Sequence, residues 1–95
     1  MPRSDDARFL QSAQVLSRIL DGEAVLLDLE GGAYLGLNDV GTVVWGALGE
    51  GLTLAEACTR VTAAFEVDEA TARRDVEALL DELLRRGLIL AAATE

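Results

Sequence analysis

The fold turns on residues 15–37: Val15-Leu16-Ser17-Arg18-Ile19-Leu20-Asp21-Gly22-Glu23-Ala24-Val25-Leu26-Leu27-Asp28-Leu29-Glu30-Gly31-Gly32-Ala33-Tyr34-Leu35-Gly36-Leu37. Two glycine-bearing pairs punctuate this stretch, Asp21-Gly22 and Gly31-Gly32, each suited to the positive φ angles of a primed hairpin turn. Two turns between apolar runs give three antiparallel strands, expected at Val15 to Leu20, Glu23 to Leu29 and Ala33 to Leu37. The middle run, Ala24 to Leu29, is apolar on both faces of a two-residue period, as a central strand requires. The third strand is then an edge, with a row of backbone groups that no neighbour claims.

Beyond Leu37 the period changes. Asn38 or Asp39 can cap a short helix carrying Val40, Val43, Val44, Trp45 and Ala47, which Gly49-Glu50-Gly51 ends. Thr53-Leu54-Ala55-Glu56 is a capping box that opens a second helix running to about Phe65. Asp68 caps a third, whose apolar positions Ala72, Val76, Leu79, Leu80, Leu83 and Leu84 follow the helical period up to the stop at Gly87. Leu88-Ile89-Leu90 is expected to fold back on the core as an apolar tail. Ahead of the first strand, Met1 to about Ser12 carries charge and little pattern, and is read as a flexible N-terminal arm before one domain at 13–95. The fold class is α+β: a three-stranded antiparallel sheet followed by three helices, like a winged helix-turn-helix.

Composition narrows the function. A chain of 95 residues holds one small domain, and 51% hydrophobic against 26% charged residues argues for an ordered core. Net charge is -9, and Arg73 and Arg74 on the third helix are surrounded by Asp75, Glu77, Asp81 and Glu82. A phosphate binder needs clustered cations, so nucleic acid is not an expected partner, although a winged-helix DNA-binding regulator is the rival reading of the topology. Histidine is absent and Cys58 is the sole cysteine, which excludes the usual zinc sites, Ser-His-Asp and Cys-His nucleophiles and an internal disulfide. Cys58 has no base nearby in sequence and reads as packing, as does Trp45. No cofactor or metal is expected, nor a catalytic residue. The apolar runs are too short to span a bilayer and the charged start has no signal-peptide core, so a cytoplasmic protein is expected.

The order of Leu37-Asn38-Asp39-Val40-Gly41 with Trp45, Thr53-Leu54-Ala55-Glu56, Asp75-Val76-Glu77-Ala78-Leu79-Leu80-Asp81-Glu82-Leu83 and Gly87-Leu88 resembles the PqqD-like family. These are peptide recognition elements for ribosomally made, post-translationally modified peptides. The resemblance covers about Val15 to Leu90. The branch that makes pyrroloquinoline quinone typically has a Pro-Glu-Gly turn and a Cys-Asp-Gly-like segment. Here those places read Leu29-Glu30-Gly31-Gly32 and Leu48-Gly49-Glu50-Gly51. Leu27-Asp28-Leu29 and Gly32 to Asn38 are more similar to the free-standing leader-binding proteins of lasso-peptide pathways.

That resemblance implies a non-catalytic adaptor. The leader of a precursor peptide would lie as an added strand on the third strand, against the third helix, and be presented to a partner leader peptidase or other modifying enzyme. The site residues it implies are Ala33, Tyr34, Leu35, Gly36 and Leu37 on the strand, and Arg74, Asp75, Ala78, Leu79 and Glu82 on the helix. From the residues alone, Gly36 marks either a place where another backbone approaches or an ordinary bulge. Small Ala78 between Asp75 and Glu82 would leave a shallow floor, where the bland reading is a solvated helix face. Arg73 and Arg74 oppose the helix dipole in its early turns, which suits either an acidic residue of the leader or a local pair with Glu69, Asp75 or Glu77.

Overall fold

Asp21 and Gly22 both take positive φ, 53° and 82°, so this pair forms the primed turn that the sequence expects. In the computed structural model, which describes residues 4–92, the turn joins β2 (Val15–Leu20) to β3 (Glu23–Asp28). A third antiparallel strand, β4 (Tyr34–Gly36), pairs with β3 on its other side, so β3 is central and β4 is an edge. Three helices follow: α1 (Asp39–Gly49), α2 (Leu54–Ala64) and α3 (Glu69–Arg85).

The β3–β4 connection departs from expectation. Only Gly32 has a positive φ, 74°, and the link is a loop from Leu29 to Ala33 rather than a two-residue primed turn. Asp28 is the reason. Its Oδ1 accepts the Glu30 N–H at 3.0 Å, an Asx turn, and its carbonyl accepts the Gly32 N–H at 2.7 Å, so the chain is already turning ahead of Gly31 and the loop closes on Gly32.

The expected N-terminal arm needs a larger correction. Phe9–Gln11 is a strand, β1, and it pairs antiparallel with β5 (Ile89–Ala91) in a separate two-stranded sheet. Phe9 is only 3% exposed and Ile89 1%, so the seam buries one side chain from each end of the chain. The tail does cover the core, as a strand. Residues ahead of β1 are also tied down: the carbonyls of Asp5 and Ala7 accept the N–H groups of Ala55 and Leu54 at 3.0 and 2.8 Å. These are donors of the first turn of α2, which no intrahelical carbonyl can reach. Thr53 and Glu56 complete that end as the expected capping box. Met1 to Arg3 of the expected arm and residues 93–95 of the expected domain lie outside the described residues.

The core lies between the sheet and the helices, with Leu26 of β3, Val44 of α1, Val61 of α2 and Val76, Leu80 and Leu83 of α3 all essentially inaccessible. Trp45 is part of it. On α3 the buried positions Ala72, Val76, Leu80 and Leu83 define one face, and Asp75 and Ala78 are exposed on another. No helix among the described residues is long and apolar enough to cross a membrane.

Candidate functional site

The open edge of β4 has a definite hydrogen-bonding phase. In register Ala24, Leu26 and Asp28 stand opposite Leu37, Leu35 and Ala33, and the outer pairs bond directly, Leu37 N to Ala24 O at 2.8 Å and Asp28 N to Ala33 O at 2.9 Å. An antiparallel ladder alternates, so Ala33, Leu35 and Leu37 turn their backbone groups to β3. The N–H and C=O of Tyr34 and Gly36 therefore face outward. Side chains alternate too: Leu35 and Leu37 point inward, while Tyr34, 70% exposed, stands on the outer face. A Cβ on Gly36 would meet nothing within 4 Å, so the glycine leaves an open notch rather than relieving a clash.

Beside this edge lies a groove of about 360 Å³ between β4, the start of α1 and α3. Leu35, Gly36, Leu37, Asn38, Val40 and Gly41 line one side, with Asp75, Ala78, Leu79 and Glu82 on the other. Of the site residues expected from sequence, Leu35, Gly36, Leu37, Asp75, Ala78, Leu79 and Glu82 come together here. Tyr34 contributes the adjoining edge. Ala33 precedes the strand, and Arg74 is exposed on α3 without lining the groove.

Asn38, Val40 and Gly41 were not among the expected site residues, although the Leu-Asn-x-x-Gly motif contains two of them. Their placement explains the motif. Asn38 caps α1, its Oδ1 accepting the Gly41 N–H at 2.8 Å. A Cβ at Gly41 would stand 3.1 Å from Leu37 Cβ and 3.5 Å from Leu79 Cδ2, so glycine lets the first turn of α1 sit against both walls. Thr42 fixes the same corner: its hydroxyl accepts the Ala24 N–H at 2.8 Å and donates to the Asn38 carbonyl at 2.9 Å.

The charged groups of the groove are acidic. Asp75 has no ion-pair partner among the described residues, and Glu82 Oε2 takes one hydrogen bond from Arg86 Nε at 2.8 Å. Arg73 points away from the groove, bridging Glu77 at 2.9 Å and Asp5 at 2.6 Å. Of the local partners expected for Arg73, Glu77 is the one paired, and Asp5 is added from the N-terminal side.

A second hollow, about 470 Å³, lies between α2 and α3 and holds Cys58. Burial pushes the Cys58 thiol up, against the lesser pull of Arg73, which is the opposite of an activated nucleophile. Asp5 and Arg73 pair within this hollow, and the rest of its lining comes from α2 and α3. Among the described residues no group of three potential ligands could hold a metal ion.

Comparison with known proteins bears on the family and the fold. Residues 23–89 match the family model described as coenzyme PQQ synthesis protein D (PqqD). The fold superposes with a TM-score of 0.81 on TbiB1 in complex with the TbiA(beta) leader peptide, at 35% sequence identity over 90% of this chain and 99% of that one. Lasso peptide synthetase B1 complexed with the leader peptide is similar at 31% identity, over 88% of this chain and 99% of that chain, with a TM-score of 0.80. No curated protein matches the chain in sequence. The family match spans β3, β4, all three helices and the first residue of β5, and on it the chain belongs to the PqqD family.

Proposed function

We propose that this chain is a non-catalytic adaptor that captures the leader of a ribosomally made precursor peptide and presents it to a partner processing enzyme, a lasso-peptide leader peptidase. The observation that carries this reading is the outward-facing backbone of Tyr34 and Gly36 beside an apolar-floored groove, in a domain similar over nine-tenths of its length to a protein solved with a leader peptide. A leader strand would bond to those two residues by β-augmentation and set alternate side chains against Leu79 and Ala78. Ala33 and Arg74 flank that path. Holding the leader in one register keeps its cleavage site near the partner's catalytic groups, a gain in effective concentration that requires no chemistry from this chain. Such work belongs in the cytoplasm, where precursor and enzyme are made.

The test is hydrogen exchange with and without a synthetic leader peptide of the cognate precursor. Added protection is expected at the Tyr34 and Gly36 amides and along the Asp75 to Glu82 stretch of α3. Protection confined to other elements overturns the groove. A salt titration on random duplex DNA checks the rival, since a phosphate binder loses affinity steeply with salt.

A further inference from the structure

Resting on that reading of the groove, we infer that the site selects cationic strands: the segment it binds sets an apolar side chain on the groove floor and carries Lys or Arg two residues away, facing Asp75. The phase of β4 fixes which peptide positions matter. Residues bonded to Tyr34 and Gly36 send their side chains to the outer face beside the Tyr34 ring. The residue between them, opposite Leu35, turns inward to Ala78 and Leu79, and the positions two residues before and after it turn the same way.

Those flanking positions meet acid on the helix side. Asp75 and Glu82 are two turns apart on α3, about 10 Å at 1.5 Å per residue, with Ala78 between them. Inward-facing strand residues repeat every ~6.7 Å, so a side chain over Ala78 has same-face neighbours within reach of a Lys or Arg stem from these carboxylates. Among the described residues no cation lines the groove, Asp75 has no ion-pair partner, and Glu82 pairs with Arg86 through one oxygen. An acidic segment would bring like charge against Asp75 on a chain of net charge -9, so the charge that favours one strand excludes another.

The experiment selects binders from a displayed random dodecapeptide library on the wild-type protein and on Asp75→Lys, with Asp75→Asn as the milder variant should the reversal disturb folding. Wild type is expected to enrich Lys or Arg two positions from an apolar residue, and Asp75→Lys to enrich Asp or Glu there instead. The best wild-type peptide should bind Asp75→Lys about tenfold more weakly and Asp75→Asn a few-fold more weakly. Selected peptides that protect β4 and α3 from exchange but show no cationic preference, or bind both variants as well as wild type, overturn the charge selection and leave the groove standing. Peptides that protect another surface, or a library that yields no binder, overturn the groove reading and this inference with it.

Discussion

β1 and β4 are both three-residue strands, and the molecule uses them in opposite ways. β1 is closed off. It pairs with β5, its Gln11 Nε2 donates to the Trp45 carbonyl at 2.9 Å, and the residues before it cap α2. β4 pairs only with β3, and the outward backbone of Tyr34 and Gly36 adjoins a groove. Short strands contribute little by themselves. What separates the two is their surroundings: β1 buries Phe9 and ties its Gln11 side chain to α1, whereas β4 borders an open groove. The difference divides the molecule into an end that holds the fold and an edge available to a partner.

The largest effect that tests this division is Phe9→Ala. Deleting a ring that is 3% exposed should destabilise the domain by roughly 3–5 kcal/mol in urea denaturation, while leader affinity of the folded fraction stays unchanged. A loss below about 1 kcal/mol would mean that β1 is an appendage after all. Ala78→Trp is the mirror experiment. Ala78 is exposed in the groove and outside the core, so filling it should reduce leader affinity by on the order of 2 kcal/mol or more with little change in melting. An unfolded variant would break the comparison from the other side.

The sheet-and-helix half of this division was legible in the sequence, for identifiable reasons. The Asp21-Gly22 turn, the apolar run of β3 and the Thr53–Glu56 capping box are local signals, and each formed as its residues dictate. The residues alone put Ala78, Asp75 and Glu82 on one helix face, while the expectation of a groove beside the third strand came from the family resemblance. β1 was not legible. Its partner β5 lies about eighty residues away, Phe9 is a lone aromatic in a charged segment, and the caps from Asp5 and Ala7 are backbone carbonyls, which any residue supplies. The Gly31-Gly32 turn was misread because Asp28 competes locally for the same amides. Asn38 and Gly41 were visible as a motif, but their role depends on how closely α1 approaches Leu79, a tertiary distance.

A proline pair sharpens the phase of β4. The Leu35 N–H faces β3, so Leu35→Pro should leave a carbonyl of the central strand without its donor and cost about 1–3 kcal/mol of stability. The Gly36 N–H faces the open edge, where a ring meets no neighbour. Gly36→Pro should therefore spare the melting transition and weaken leader binding by about 1 kcal/mol, the usual net value of one hydrogen bond. The reverse pattern, with Leu35→Pro stable and Gly36→Pro unfolded, would shift the ladder by one residue and turn the wrong amides outward.

The smallest expected effect comes from acid, and it concerns the sealed end. The backbone N–H of Thr53, and then its hydroxyl, hold the Glu56 carboxyl below the ordinary value of 4.5. A lowered folded value means that the unfolded chain takes up a proton first as pH falls. The stabilisation from Glu56 is thus fully present above about 4.5 and is lost as pH drops through the lower folded value. Glu56→Gln keeps an acceptor for the capping box but removes the titration. Urea midpoints at neutral pH and below pH 4 should fall further for wild type than for Glu56→Gln. Glu50 and Asp68, also held low, by Arg60 and by the Thr71 backbone N–H, titrate equally in both proteins and cancel in the comparison. Equal falls would show that the charge of Glu56 contributes nothing to this end, leaving the hydrogen bonds of β1 and its carbonyl caps to hold it alone.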